Sequence, residues 1–291
     1  MKKIIVVTGG AGFIGSNLIG HLLDKTKFNI ISLDNYTSGK KKNHIDNKRV
    51  KYLNCDTSDI KKTLNKIKNK IHTIFHFGEF SRIYQSFLKI EDCLNSNTVG
   101  SNAVFNFCLL NKIKLIYSAT SASIGHNGND KNLSPYAFTK AKNLEILENL
   151  RKWFSFKFEI IYFYNVYGPN QITEGDMATV IGIFERQYRQ KKKLTVVRPG
   201  NQTRSFTHVY DTVNVCYLAW KHNKCRHYSI SNKKHYSILE VAKMFTRKIK
   251  YLPVRKGERY ASALTKMYLS KKVYQLYGDL QLKNYVKNIT K

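Results

Sequence analysis

Tyr136 and Lys140, in the stretch "SPYAFTK", stand four residues apart, which puts both on one face of a helix. Ser134 and Pro135 have the types favoured at a helix N-cap and first helical position. Tyrosine is a poor base at its ordinary pKa of about 10. A lysine ammonium one turn away stabilises the phenolate, so the pair reads as an acid and base for a hydroxyl proton. An isolated pair at this spacing more often marks an exposed helix face. Its meaning depends on what stands beside it.

A second group of residues supplies that context. "TGGAGFIG", residues 8–15, follows a β-branched run and opens an amphipathic stretch. Gly9 permits a tight turn, Gly12 lets backbone approach a pyrophosphate, and Gly15 lets helix pack close to strand. The phosphates would sit at the helix N-terminus, where free N–H groups and the dipole favour negative charge. The next strand ends in "LDNYTSG", placing Asp34 about twenty residues on. A carboxylate there accepts from the adenosine ribose and repels a 2′-phosphate. No arginine follows directly, so the expected cofactor is NAD rather than NADP.

The elements that must position these groups are legible as patterns. "KIIVVT", "NIISLD", "VKYLN", "HTIFHF", "IKLIYS" and "FEIIYF" read as buried strands, with amphipathic helices expected over 13–23, 92–111 and 135–153. Strand–helix alternation predicts an α/β fold, a Rossmann-type doubly wound parallel sheet. After Gly168 the strands shorten to "LTVV", "HYSI" and "YLPV". This suggests an NAD-binding lobe over 1–167 and a smaller α/β substrate lobe over 168–291, with the chain free to cross back.

Bulk composition removes other classes. The 291 residues contain no apolar run near the ~20 of a membrane span and no secretory leader before the glycines. Five scattered cysteines without a C-x-x-C pair suit reduced thiols, not disulfides or a metal site. The expected setting is cytoplasmic. A net charge of +31 raises nucleic-acid binding. The lysines are dispersed, however, and no zinc finger, RNP-like motif or basic zipper accompanies them. The charge reads instead as a solvated basic surface that favours an anionic substrate.

Taken together, "TGGAGFIG", "CDTSD", "HFGEFSRI", "NTVG", "SATSASIG", "SPYAFTK", "YFYNVYGPNQ" and "GNQTRSFTHVYD" occur in an order and spacing that resembles the extended short-chain dehydrogenase/reductase family. More narrowly, they resemble its NAD-dependent nucleotide-sugar epimerases and dehydratases. The resemblance implies that Phe13 and Ile14 meet the pyrophosphate and that Asp34 and Asn35 hold the adenosine ribose. It places Asp56 and Thr57 beside adenine, and Phe77, Gly78 and Asn97 on the cofactor's other flank. Tyr164 and Asn165 match the hinge between cofactor and substrate. Arg204 and Arg255 match arginines that clamp a substrate diphosphate, a task suited to the two-pronged guanidinium. Thr120 matches the Ser/Thr that bonds the reacting hydroxyl. Relatives often form homodimers through the helices equivalent to 92–111 and 135–153.

Departures from that pattern set the finer expectations. Glu79 falls beside the expected nicotinamide pocket, where relatives mostly carry small residues. It reads either as a sugar-binding or acid/base group or, more simply, as an ion pair with Arg82. The common dehydratases of the family place Asp and Glu after the catalytic Thr; here stand Ser121 and Ala122. The favoured activity is therefore 4-epimerisation through a 4-keto intermediate, with a UDP-hexose expected only because the resemblance is to epimerases that most commonly use UDP. A 4,6-dehydratase is the alternative, and a non-catalytic RNA- or partner-binding protein a more distant one.

Overall fold

A computed structural model describes residues 3–123, 130–254 and 273–291. The six runs of the first half form β1 (Ile4–Thr8), β2 (Asn29–Asp34), β3 (Val50–Asn54), β4 (Ile71–His76), β5 (Lys114–Thr120) and β6 (Phe158–Phe163). Between them lie α1 (Phe13–Lys25), α2 (Ile60–Leu64), α3 (Ile83–Leu88), α4 (Ile90–Leu94), α5 (Ser101–Leu110) and α6 (Pro135–Phe154). The helix expected over 92–111 is present but uneven: α4 runs into α5 through a π-helical turn, Asn95–Gly100.

Local signals explain the helix that carries Tyr136. The Ser134 hydroxyl accepts from Ala137 N at 3.1 Å, and Pro135 fills the first helical position without wasting a donor. The helix stops at Ser155, whose φ of 53° is left-handed. On α1, Leu18, Ile19 and Leu22 recur at helical spacing and are fully buried. Each contributes about 1.5–3 kcal/mol of burial.

The second half adds β7 (Val166–Tyr167), β8 (Leu194–Val197), β9 (Thr203–Ser205), β10 (Thr207–His208), β11 (His227–Ser231), β12 (His235–Ser237), β13 (Ile249–Leu252) and β14 (Val273–Tyr277). Its helices are α7 (Val180–Arg189), α8 (Val209–His222), α9 (Ile238–Phe245) and α10 (Leu282–Thr290). Eight strands make the main sheet, in the order β14-β11-β6-β5-β4-β1-β2-β3, and its pairings are parallel. One apolar layer, including Leu64, Phe105 and Leu147, covers one side; another, including Leu18, Val213 and Ala219, covers the other.

The large unit therefore does not end near residue 168. The chain returns to it, with α8 packed beside α1 and β11 and β14 extending the sheet. What stays outside is a small lobe in which β8 pairs with β13 and a separate core joins Phe184, Val196, Phe245 and Val286. Among the described residues no helix is long and apolar enough to cross a membrane.

Strand order reverses between β1 and β4, and ligands of open parallel sheets bind beyond the carboxyl ends of the strands at such a point. Register lines those ends up: Thr8 pairs with Leu33 and His76, and Thr120 with Phe163. Asp34 and Thr120 are last residues of their strands. The fold thus delivers the sequence-marked residues to one edge.

Candidate active site

A cleft opens at that edge, about 1290 Å³ in volume and walled by both the large unit and the small lobe. This exceeds the roughly 300–1,000 Å³ of a site for one drug-sized ligand. Gly9 leaves β1 at φ +69°, where L side chains are strained. A Cβ on Gly15 would lie 2.1 Å from Gly9 O, so α1 reaches the turn only because none is there. Gly12 caps α1 without a side-chain bond. The first N–H groups of the helix, with the positive end of its dipole, are thus available to a phosphate.

Asp34 braces this turn as well as facing the cleft. Its Oδ2 accepts from Ala11 N at 2.9 Å and its Oδ1 from Tyr36 N at 2.8 Å. Burial raises its pKa, and those backbone donors oppose the rise. Beyond it, Asn35 Nδ2 donates to Asp56 Oδ2 at 2.8 Å, fixing the next two wall residues relative to each other. Phe13, Ile14, Thr57, Phe77, Gly78, Asn165 and Arg204 also line the cleft. The glycine cradle, the helix end and Asp34 together fit a dinucleotide.

Two residues expected at the wall are placed behind it. Asn97 is fully buried in the π-helical turn and holds the backbone of Phe80, accepting from its N at 2.7 Å and donating to its O at 3.1 Å. Tyr164 is likewise buried, with Ser229 Oγ donating to its hydroxyl at 3.2 Å. Arg255 lies outside the described residues.

At the other end of the cleft Thr120 and Tyr136 both line the wall, with the Thr120 hydroxyl near enough to the phenol to favour its ionised form. Burial pushes that phenol up to about 12; the Thr120 hydroxyl and Arg82 pull it down, and Glu79 pushes it further up. Lys140 lines the same cleft one helical turn on, but its ammonium is not turned to Tyr136. It pairs with Glu79 Oε2 and donates to Ser118 O at 2.5 Å.

A model of the NAD dependent epimerase/dehydratase family matches residues 5–232. The chain belongs to that family. A heptose relative from Alkalilimnicola ehrlichii, ADP-L-glycero-D-manno-heptose-6-epimerase, is 28% identical over 73% of this chain and 70% of its own. A Methanocaldococcus jannaschii protein provisionally named UDP-glucose 4-epimerase is 27% identical over 98% of this chain and 97% of its own. The fold matches the Thermotoga maritima UDP-glucose 4-epimerase solved with UDP-glucose, at TM-score 0.85 and 22% identity over 99% of this chain and 97% of that one. The cofactor of this family enzyme is NAD, as Asp34 indicated.

The buried ion pair corrects one expectation about this family member. Glu79 does not pair with Arg82. Its side chain is 2% exposed and turns inward to Lys140, which is 4% exposed. Glu79 Oε1 accepts from Ser101 Oγ at 2.7 Å, Tyr117 OH at 3.0 Å and Asn143 Nδ2 at 3.2 Å. Every donor comes from β5, α5 or α6, which close around the carboxylate, whereas Arg82 leaves in another direction toward the small lobe. Burial penalises both charges. For Glu79 the pairing with Lys140 wins, helped by the Ser101 hydrogen bond, and its carboxyl is held below the usual range; for Lys140 burial wins, and its pKa is lowered.

Sequence reading missed the residues that build this cradle. His76 is fully buried, bonded to Thr8 Oγ1 at 2.7 Å and Ser101 Oγ at 3.1 Å, with burial bringing its pKa down to about 4. Ser101, Tyr117 and Asn143 carry no motif. His76 in "HTIFHF" and Tyr117 in "IKLIYS", each a polar group among apolar neighbours, were the available signals; Ser101 and Asn143 carry none.

Proposed function

We propose that this enzyme inverts C4 of a nucleotide-diphosphate hexose, with a UDP-sugar preferred. One observation carries the reading. Ser121 and Ala122 follow Thr120, and the nearby Glu79 carboxylate is committed to Lys140. A 4,6-dehydratase needs an acid for the departing C6 hydroxyl and a base at C5; neither residue after Thr120 is a carboxylate. Epimerisation requires only that one oxygen lose and regain a proton while the ring turns between.

In this reading Tyr136 takes the C4 hydroxyl proton and returns it, and Thr120 holds the same oxygen through the 4-keto intermediate. NAD, when bound, supplies the hydride acceptor and donor. Gly9, Gly12, Phe13, Ile14, Gly15, Asp34, Asn35, Asp56, Thr57, Phe77 and Gly78 hold the cofactor. Lys140, one helical turn from Tyr136, is paired with Glu79 and acts by fixing that part of α6 rather than by presenting a free ammonium to the phenol. Asn165 and Arg204 hold the substrate from the small-lobe side, with Arg255 as a further diphosphate ligand. The homodimer is supported by the exposed Leu94, Val99, Leu110 and Phe138 on the helices expected to pair.

A panel of UDP-, dTDP-, GDP- and CDP-sugars, read by NMR and mass spectrometry, tests the assignment. The expected product has its substrate's mass and differs at C4. A product lighter by one water, with 4-keto-6-deoxy signals, makes the enzyme a dehydratase.

A further inference from the structure

Arg82 has no part in the reading above, yet its placement is specific. It is the residue before α3, whose Ser86 Oγ accepts from Tyr136 N at 3.2 Å, so the starts of α3 and α6 are tied together. Its neighbour Ile83 and the small-lobe residue Met177 both pack on the cluster that contains Tyr136. The guanidinium bridges these parts: Nε donates to Met177 O at 2.9 Å, Nη2 donates to the same oxygen, and Nη1 donates to Ser81 O at 2.9 Å.

Those contacts orient the group without satisfying it. A guanidinium has five N–H donors, and three are used on carbonyls. Of the rest, one on Nη1 has a long approach to Ser81 Oγ at 3.4 Å, and one on Nη2 remains. Among the described residues Arg82 has no carboxylate partner. Its cleft neighbours differ: Lys140 is neutralised by Glu79 and Lys89 by Asp176 at 2.9 Å. A partly buried, pre-oriented positive charge therefore faces the cleft beside the residue proposed to act at C4.

Resting on that reading of C4, we infer that the sugar carries a carboxylate on C5, so that the substrate class is a nucleotide-linked hexuronate with Arg82 as its specificity residue. The geometry of the sugar supports the match. The carboxylate of a hexuronate stands on the carbon next to C4, whereas the diphosphate lies across the ring at C1. An arginine at Tyr136 is thus suited to the former, and Arg204 to the latter. Planar carboxylate and planar fork bond in pairs, which an alcohol at C6 cannot do. A hexuronate also has no C6 hydroxyl to expel, which agrees with the missing dehydratase carboxylates.

Calorimetry of the NAD-loaded protein with UDP, UDP-glucose and UDP-glucuronate tests this, in wild type, Arg82→Gln and Arg82→Lys. A charged hydrogen bond corresponds to roughly a ten- to hundredfold preference for the uronate. Arg82→Gln erases it, Arg82→Lys keeps part, and UDP binds all three proteins alike, which shows that they are folded. Equal affinity for the two sugars in wild type, or a preference that survives in Arg82→Gln, overturns the assignment. Failure of the C4 reading looks different: the uronate preference holds, but NMR shows no inversion at C4.

Discussion

Tyr136→Phe lowers turnover by about a thousandfold and leaves bound NAD unchanged. The magnitude follows from general acid–base catalysis, which contributes roughly 100- to 10,000-fold, here through one group acting twice. The loss should fall on kcat, because the phenyl ring still fills its place among Phe80, Ala122 and Ala137. Only the hydroxyl disappears, and the ring keeps its packing, so stability changes by no more than about 1 kcal/mol. The pH profile gives a second check. In the proposed mechanism the active base is the phenolate, and burial holds the phenol up at about 12 in the protein alone. Wild-type kcat/KM therefore climbs with pH from 6 to 9, and the residual activity of the variant lacks that slope. A variant that keeps most of its turnover removes Tyr136 from the mechanism.

Glu79→Gln has the largest expected effect on stability. It removes one charge of a buried pair and sets an amide N–H₂ against the Lys140 ammonium, and breaking such a pair costs about 3–5 kcal/mol. The dependence on pH identifies the cause. Glu79 is held below its ordinary value, so its contribution to wild-type stability is present above the unfolded carboxyl pKa of about 4.3 and lost as pH falls through the folded one. At the alkaline side, burial lowers Lys140, and without its partner the amine sheds its proton earlier still. A neutral amine is far cheaper to bury. The stability gap between wild type and variant is thus widest near neutrality and narrows toward pH 4 and pH 9.5. Urea unfolding at three pH values measures it. A gap below about 1 kcal/mol at pH 7, the size of a surface pair, contradicts the cradle described here.

What the sequence could and could not reveal follows range of interaction. The strands β1 to β6, the glycine turn and the Ser134 cap rest on residues within a turn or two of one another, so their patterns are local and readable. Asp34 was readable because the fold fixes its distance from the glycines. Glu79 was not, since its partner Lys140 stands 61 residues away while Arg82 stands three away and invites pairing. That the chain could cross back was foreseen, but which segments rejoin the sheet was hidden. In β11, "HYSIS", two serines interrupt the apolar run. Ser229 is nonetheless fully buried because Tyr164 accepts its hydroxyl. Asn97 shows the converse. Its motif "NTVG" was recognisable, but its amide serves the Phe80 backbone behind the cleft wall.

The most direct test of C4 inversion follows an isotope on that carbon. Substrate carrying deuterium at C4, a UDP-hexose or UDP-hexuronate, is incubated with protein as purified and no added cofactor. The expected product has inverted C4 configuration and retains the deuterium on C4, because the same hydrogen leaves and returns without exchange with solvent. Deuterium found elsewhere on the sugar, or released with NADH in stoichiometric amount, contradicts it.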